Sequence, residues 1–174
     1  SLKGAPPPMN ATPPKEALGG AGYVPGVSRL GVPALQESDA SLGVANGGNM
    51  RPGDQATALP SGLATASTWN PQLAHDGGAM IGTEAHAKGF NVLLAGGVNL
   101  ARDPRNGRNF EYLGEDTLLA GVMAGESIAG IQSRHVISTV KHFAINDQET
   151  GRMTLSSDID EKAMRETDLL AFEI

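Results

Sequence analysis

Apolar and polar positions divide the chain into two unequal parts. Up to about residue 33 there is no period: Pro6-Pro7-Pro8, Pro13-Pro14 and Gly19-Gly20 block regular helix and strand pairing. Residues 1–33 therefore read as an extended, weakly structured arm. Residues 34–174 alternate short apolar runs with stretches of helical length. Val32 to Gln36 is a buried-strand candidate ending in Glu37-Ser38-Asp39. Ala58 to Ala66 is a weaker one, interrupted by Pro60 and Gly62. Asn70-Pro71 starts a helix, with Asn as cap and Pro in the first turn, and Gly89 ends it after Lys88. Leu73, Met80, Ile81 and Glu84 share one of its faces.

Val92-Leu93-Leu94-Ala95 is apolar at successive positions, as a parallel strand covered on both sides requires. After a polar loop, Ala101 to Gly114, the pair Glu115-Asp116 opens a helix whose apolar side comprises Leu118, Leu119, Val122, Met123, Ile128 and Ile131. Val136 to Phe143 is a further strand. Asp160 caps a last helix with Ala163, Thr167, Leu170, Ala171 and Ile174 at helical spacing. Strand, loop and helix thus repeat about four times, which predicts a parallel α/β architecture. The polar residues gather just after the strand ends, where a (β/α)8 TIM-type barrel builds its active face. Such a barrel needs at least about 200 residues, so a chain of 174 residues is expected to hold about its first half. The stop at Phe172-Glu173-Ile174, inside an apparent helix, supports the expectation of an incomplete domain.

Composition narrows the function classes. The net charge of −6 argues against nucleic acid as a partner. The absence of Cys removes disulfides, thiolate metal sites and cysteine nucleophiles. No apolar run reaches the roughly 20 residues of a membrane span. Ser1-Leu2-Lys3-Gly4 is not a signal peptide, and the missing initiator Met predicts a trimmed chain whose export signal is already gone. No dinucleotide fingerprint, phosphate loop or zinc spacing is present, so neither cofactor nor metal is expected. His75 and His86 read as helix-surface residues, and Trp69 as core in preference to a sugar-stacking platform. Asn10-Ala11-Thr12 matches a glycosylation sequon, a pattern frequent by chance.

Three polar clusters remain. Asp39 follows the first strand, either as a loop cap or as a bidentate acceptor for vicinal hydroxyls. In Asn99–Asp116, Arg residues alternate with carboxylates and amides. Arg108 there has the fixed donor fork that suits a polyhydroxylated ligand. Lys141-His142 ends a strand next to a loop carrying Asn146, Asp147, Glu149 and Arg152. A snorkelling Lys and a core His would fit the pair alone; the charged loop beside it favours a functional pair.

In this order the clusters resemble glycoside hydrolase family 3, in its β-glucosidase branch. The matching stretches are Arg29–Leu35 with Asp39, Gly107–Glu111 with Gly114–Asp116, and Lys141-His142-Phe143 with Asn146, Glu149 and Arg152. The resemblance implies a retaining, exo-acting enzyme acting on terminal β-D-glucosyl residues of β-glucosides or cello-oligosaccharides. It implies that Asp39, Arg108, Lys141 and His142 bind the terminal sugar, with Arg152 supporting them and a Lys141–Asp39 charge pair orienting both. Its nucleophile and acid/base lie further along, so no catalytic residue is assigned here. The chain alone is expected to be inactive, and the rest of the enzyme is its expected partner. The expected location is periplasmic or secreted. Two departures bear on substrate. Ala45 stands where many relatives have Arg. The stretch after His142 lacks the Pro-Gly-His-Gly of the N-acetylhexosamine branch. A β-xylosidase of the same family, a non-catalytic carbohydrate-binding half-barrel, and a half-barrel pairing with its own copy are the alternatives.

Overall fold

The computed structural model describes residues 13–174, which leaves Pro6-Pro7-Pro8 and the Asn10 sequon outside the described residues. Four strands, β1 (Gly22–Val24), β2 (Leu35–Asp39), β3 (Val92–Gly97) and β4 (Ile137–Lys141), form one sheet in the order β1-β2-β3-β4. Three helices precede or cover it: α1 (Gly62–Ala66), α2 (Pro71–Ala87) and α3 (Thr117–Gln132). Two short ones, α4 (Glu161–Glu166) and α5 (Leu170–Glu173), end the chain.

The α/β expectation holds, but the sheet is mixed. β2, β3 and β4 are parallel neighbours, whereas β1 runs antiparallel to β2. Within the expected arm, Gly22–Val24 is thus a paired strand. The first parallel strand also starts later than its apolar pattern suggested. Val27 and Val32 close a turn through mutual backbone hydrogen bonds, and Pro33 has no N–H for a ladder. The strand expected at Ala58–Ala66 is absent: Ser61 Oγ accepts the Ala64 N–H, capping α1 instead.

α2 and α3 begin as read from their caps, with Asn70 and Asp116 side chains accepting the Leu73 and Leu119 N–H groups. Their buried faces combine Ile81, Met123 and Ile131 with small residues, which line the helix–helix contact. Gly78 of α2 lies against Ser127 of α3, Gly82 against Ile131, and Gly130 of α3 against His75 and Ala79, while Leu73, Leu118 and Val122 stay exposed. Backbone proximity explains the choice. A Cβ on Gly130 would stand 2.1 Å from the His75 carbonyl oxygen, far inside van der Waals contact. The main core lies between these helices and the sheet, with Leu93, Ala95, Ile81, Ala85, Phe90 and Ile131.

The single last helix expected from spacing is broken. Thr167 leaves helical geometry at φ −121°, ψ −84°, and Asp168 is buried against Arg102. Trp69 is not core: it is 74% exposed in the α1–α2 link, where its φ is +52°. His86 is exposed and His75 half-buried on α2.

Alternation along the strands sets the sheet's two faces. Ser38, Leu93, Ala95 and Val140 turn toward the helices. Asp39 and Lys141 fall on the alternate positions, toward the other face and its C-terminal rim. The register pairs Asp39 with Leu94 and, past an irregularity, Gly97 with Lys141. Through Leu94, Asp39 lies level with Thr139, two residues before Lys141 and on the same face.

Candidate functional site

The site forms where three strand ends release their loops. Asp39 ends β2. Lys141 ends β4, followed at once by His142; the Lys141–His142 and Phe143–Ala144 peptides are cis. Arg108 and Glu111 come from the loop after β3, in and beside a turn of 3-10 helix at Asn109–Glu111. Asp39, Ser41, Ala45, Arg108, Glu111 and Lys141 line a pocket of about 530 Å³, with exposed Phe110 at its edge.

Glu111 is the anchor. Its side chain is 3% exposed. Oε1 accepts from Arg108 Nε, while Oε2 accepts from Ser41 Oγ at 2.9 Å and lies 3.1 Å from Lys141 Nζ. Burial pushes this carboxyl up, but Arg108, Lys141 and Ser41 outweigh it and hold it below the ordinary carboxylate value. Glu111 in turn raises the Arg108 guanidinium against the opposing effect of burial. Lys141 Nζ also reaches Asp39 Oδ1 at 3.2 Å, which is the expected charge pair. Lys141 is nearly buried, whereas the Asp39 side chain is half-exposed toward the pocket. Two cations and two carboxylates balance, so no net charge is left in a partly desolvated site.

His142 is fixed on every side. Its backbone exchanges two hydrogen bonds with the buried Asn99 side chain: its N–H donates to Oδ1 at 2.7 Å and its carbonyl accepts from Nδ2 at 3.0 Å. Its ring lies between Arg108 Nη2, 2.9 Å from Nε2, and Tyr112 Oη, 3.1 Å from Nδ1. Burial first, then Arg108 and Lys141, pushes its pKa down, so the ring is neutral near pH 7. Arg152 stands one shell out and half-exposed. It pairs with Glu149 at 3.2 Å, and Glu149 faces Arg108 Nη1 at 3.8 Å.

The structure thus brings Asp39, Arg108, Lys141 and His142 together, with Arg152 behind them. Glu111, Ser41, Tyr112 and Asn99 were not singled out from sequence. Glu111 sat among several carboxylates of one Arg-rich loop, and only its burial sets it apart. Among the described residues no group of three or more His, Asp and Glu could hold a metal ion, and no helix is long and apolar enough to cross a membrane.

Strands followed by helices, with a charged pocket at the strand ends, are the layout expected of the family that the sequence resembles. The chain belongs to glycosyl hydrolase family 3, whose N-terminal domain it matches over residues 24–174. It is 42% identical over 147 residues to a β-glucosidase of Rhizobium radiobacter, covering 84% of this chain and 18% of that protein. It is 39% identical over 148 residues to a probable β-glucosidase I of Aspergillus niger, covering 85% and 18%. Among solved structures, DesR, a β-glucosidase from Streptomyces venezuelae in complex with D-glucose, aligns with a TM-score of 0.84 at 37% identity. The alignment covers 90% of this chain and 19% of DesR. β-Glucosidase 3B of Thermotoga neapolitana, in complex with α-D-glucose, aligns at 0.83 and 40% identity over 92% of this chain and 23% of that one. The chain therefore spans about a fifth of the length of these relatives.

Proposed function

We propose that this chain is the sugar-recognising part of an exo-acting β-glucosidase, and that its pocket holds the terminal glucosyl unit. The observation that carries the reading is the convergence of Asp39, Arg108 and Lys141, from three different strand ends, on one pocket with hydrogen-bonding capacity to spare. Arg108 uses Nε on Glu111 and one Nη2 hydrogen on His142, leaving its other guanidinium donors. Lys141 has three donors and two carboxylate partners. Asp39 keeps an oxygen facing the pocket. Such an array of donors and acceptors suits a neutral, polyhydroxylated ring, and each charge-assisted bond is worth about 1.5–3 kcal/mol.

The architecture supports a half-barrel over residues 34–174. β2, β3 and β4 are parallel and in sequence order, and the helices α2 and α3 pack side by side over one face. Winding in one sense is what a (β/α)8 barrel requires of its successive strands, and it supports that reading. The retaining reaction needs two carboxyl groups about 5–5.5 Å apart. Asp39 and Glu111 do not serve, because both are engaged by Lys141. The nucleophile and the proton donor belong to the remainder of the enzyme.

The test is the full-length enzyme on aryl β-D-glucoside and aryl β-D-xyloside, with the anomer of the first product read by NMR. The expected result is a higher kcat/KM for the glucoside and release of β-glucose. A xyloside preference would replace the substrate, and inversion would overturn the reaction type. Absence of turnover with sugar binding retained would favour a non-catalytic module.

A further inference from the structure

The register between β3 and β4 changes just before the pocket. Leu94 pairs with Thr139, but Gly97 pairs with Lys141, so β3 advances from 94 to 97 while β4 advances only from 139 to 141. One residue of β3 is extra, which makes a β-bulge. Gly96 stands inside it at φ +83°, in the left-handed region that a side chain disfavours. The bulge resets the alternation of side chains. Leu93 and Ala95 belong to the main core under the helices, so an unbroken strand would turn position 97 the same way. Instead Val98 packs with Ala124 and Ala171, and Asn99 turns the other way, toward His142. After the bond from the Val98 N–H to the Lys141 carbonyl at 2.8 Å, the Asn99 side chain takes over the pairing. Its Oδ1 accepts the His142 N–H at 2.7 Å, and its Nδ2 donates to the His142 carbonyl at 3.0 Å. A carboxamide carries an acceptor and a donor side by side, so one side chain satisfies both main-chain groups of the residue that follows β4. Asn99 is buried and is not among the residues lining the pocket.

We infer that Asn99, aimed by the bulge at Gly96, is a positioning residue of the sugar site: its carboxamide clamps the His142 main chain on both sides and so sets where the Lys141 and His142 side chains enter the pocket. The leverage is geometric. Lys141 Nζ is held at 3.2 Å from Asp39 and 3.1 Å from Glu111, and the His142 ring lies between Arg108 and Tyr112. A main-chain shift of about 1 Å at their junction would lengthen several of these contacts at once. The effect on activity rests on the proposed sugar-binding role of the pocket, whereas the clamp itself does not.

The experiment uses the full-length enzyme and the variants Asn99→Asp and Asn99→Leu. A carboxylate accepts the His142 N–H but opposes the His142 carbonyl, and a protonated carboxyl regains the donor. Burial raises the pKa of such a group, which brings its protonation into the range of an assay. At about pH 8, Asn99→Asp should lose about a hundredfold in kcat/KM. Between about pH 8 and pH 5 its kcat/KM, taken relative to the wild type at each pH, should recover by about tenfold or more. Asn99→Leu has a similar size but neither group, and should lose about a hundredfold without any relative recovery in acid. A second readout needs no turnover. In enzyme labelled with 15N-histidine, the backbone amide of His142 is assigned as the signal lost in His142→Gln. Asn99→Leu should move that signal upfield and speed its exchange with solvent. A relative pH profile of Asn99→Asp that is flat or falls toward acid overturns the inference, and so does an unmoved His142 amide in Asn99→Leu. If Asn99→Leu does not fold, the pH profile decides alone. If the wild-type enzyme turns over no glucoside, the proposed function fails, and the His142 amide decides the inference.

Discussion

Lys141 Nζ lies between two carboxylates of opposite character, 3.1 Å from Glu111, which is buried, and 3.2 Å from Asp39, which faces the pocket. The same Glu111 also holds Arg108 through its other oxygen. One buried acid therefore fixes both cations of the pocket, and one lysine connects that acid to the exposed one. The pocket groups Arg108 and Lys141, and through Lys141 also Asp39, are thus tied to one buried carboxylate.

Glu111→Gln should accordingly damage both fold and function. It is nearly isosteric, but it leaves Arg108 and Lys141 facing each other without the buried charge that compensates them. Breaking one partner of such a pair costs about 3–5 kcal/mol. The expected result in the full-length enzyme is a lower urea midpoint at pH 7 with an unchanged denaturant slope, and a fall in kcat/KM. Wild-type stability with normal turnover would show that Glu111 is not the anchor.

Two groups give the pH dependence of stability a definite sign. His142 is held below its ordinary value of 6.5, so on acidification the unfolded chain takes up the proton first. Its contribution is complete above about pH 6.5 and is lost as pH falls from there toward the folded value. Glu111 is held below its ordinary 4.5. Its contribution persists above that value and is lost at lower pH. Unfolding free energies measured between pH 7.5 and 5.5 should fall less for His142→Gln than for the wild type. An equal or steeper fall in the variant removes His142 as the cause.

Much of this was legible in the chain because it is local. Asn70-Pro71 and Glu115-Asp116 carry their helix starts in adjacent residues, and both caps are where the sequence places them. Asp39, Lys141 and His142 stand at strand ends and Arg108 in the loop that follows another, and parallel strands bring those ends together. What was not legible depends on distance. Which loop carboxylate is buried, Glu111 rather than Asp103 or Glu149, is decided by Lys141 and Ser41, which are remote in sequence. The α2–α3 contact was not legible because it runs over Gly78 and Gly130, whose lack of a side chain is what lets the helices meet. The antiparallel β1 was hidden because it is three residues long, begins with Gly22 and is followed at once by Pro25.

Asp39→Ala should lower the kcat/KM of the full-length enzyme by about ten- to hundredfold, as for a lost charged hydrogen bond to substrate. Asp103→Ala should have little effect. Asp103 accepts only from Arg105 within its own loop, at 2.9 Å to Nη2 with that arginine 88% exposed. A solvated pair of this kind contributes roughly 0–1 kcal/mol. Circular dichroism of both variants separates folding from function. Near-full efficiency in the Asp39 variant, with collapse in the Asp103 variant, would move the sugar site away from the β2 end.

Two glycines in the packed helices should respond to alanine with opposite signs. A Cβ on Gly78 of α2 would stand 2.0 Å from the Ser127 carbonyl oxygen and 2.8 Å from the Ser127 carbonyl carbon of α3. These are backbone atoms, so no rotamer change relieves the clash, and the two helices must separate. Overpacking of this kind costs about 1–3 kcal/mol or more, which exceeds the gain of about 1 kcal/mol from replacing a helical glycine. Gly125, on α3, has no neighbour within 4 Å of a Cβ and is exposed. There only the propensity gain remains, so Gly125→Ala should stabilise by up to about 1 kcal/mol. Separating the helices would also loosen the cover over Ile81 and Ile131, so the Gly78 variant should lose protection from hydrogen exchange along α2 and α3. Urea unfolding of the two full-length variants checks the signs. A neutral or stabilising Gly78→Ala would mean that the α2–α3 contact is wider than 2.0 Å implies, and that the small residues lining it serve some purpose other than close approach.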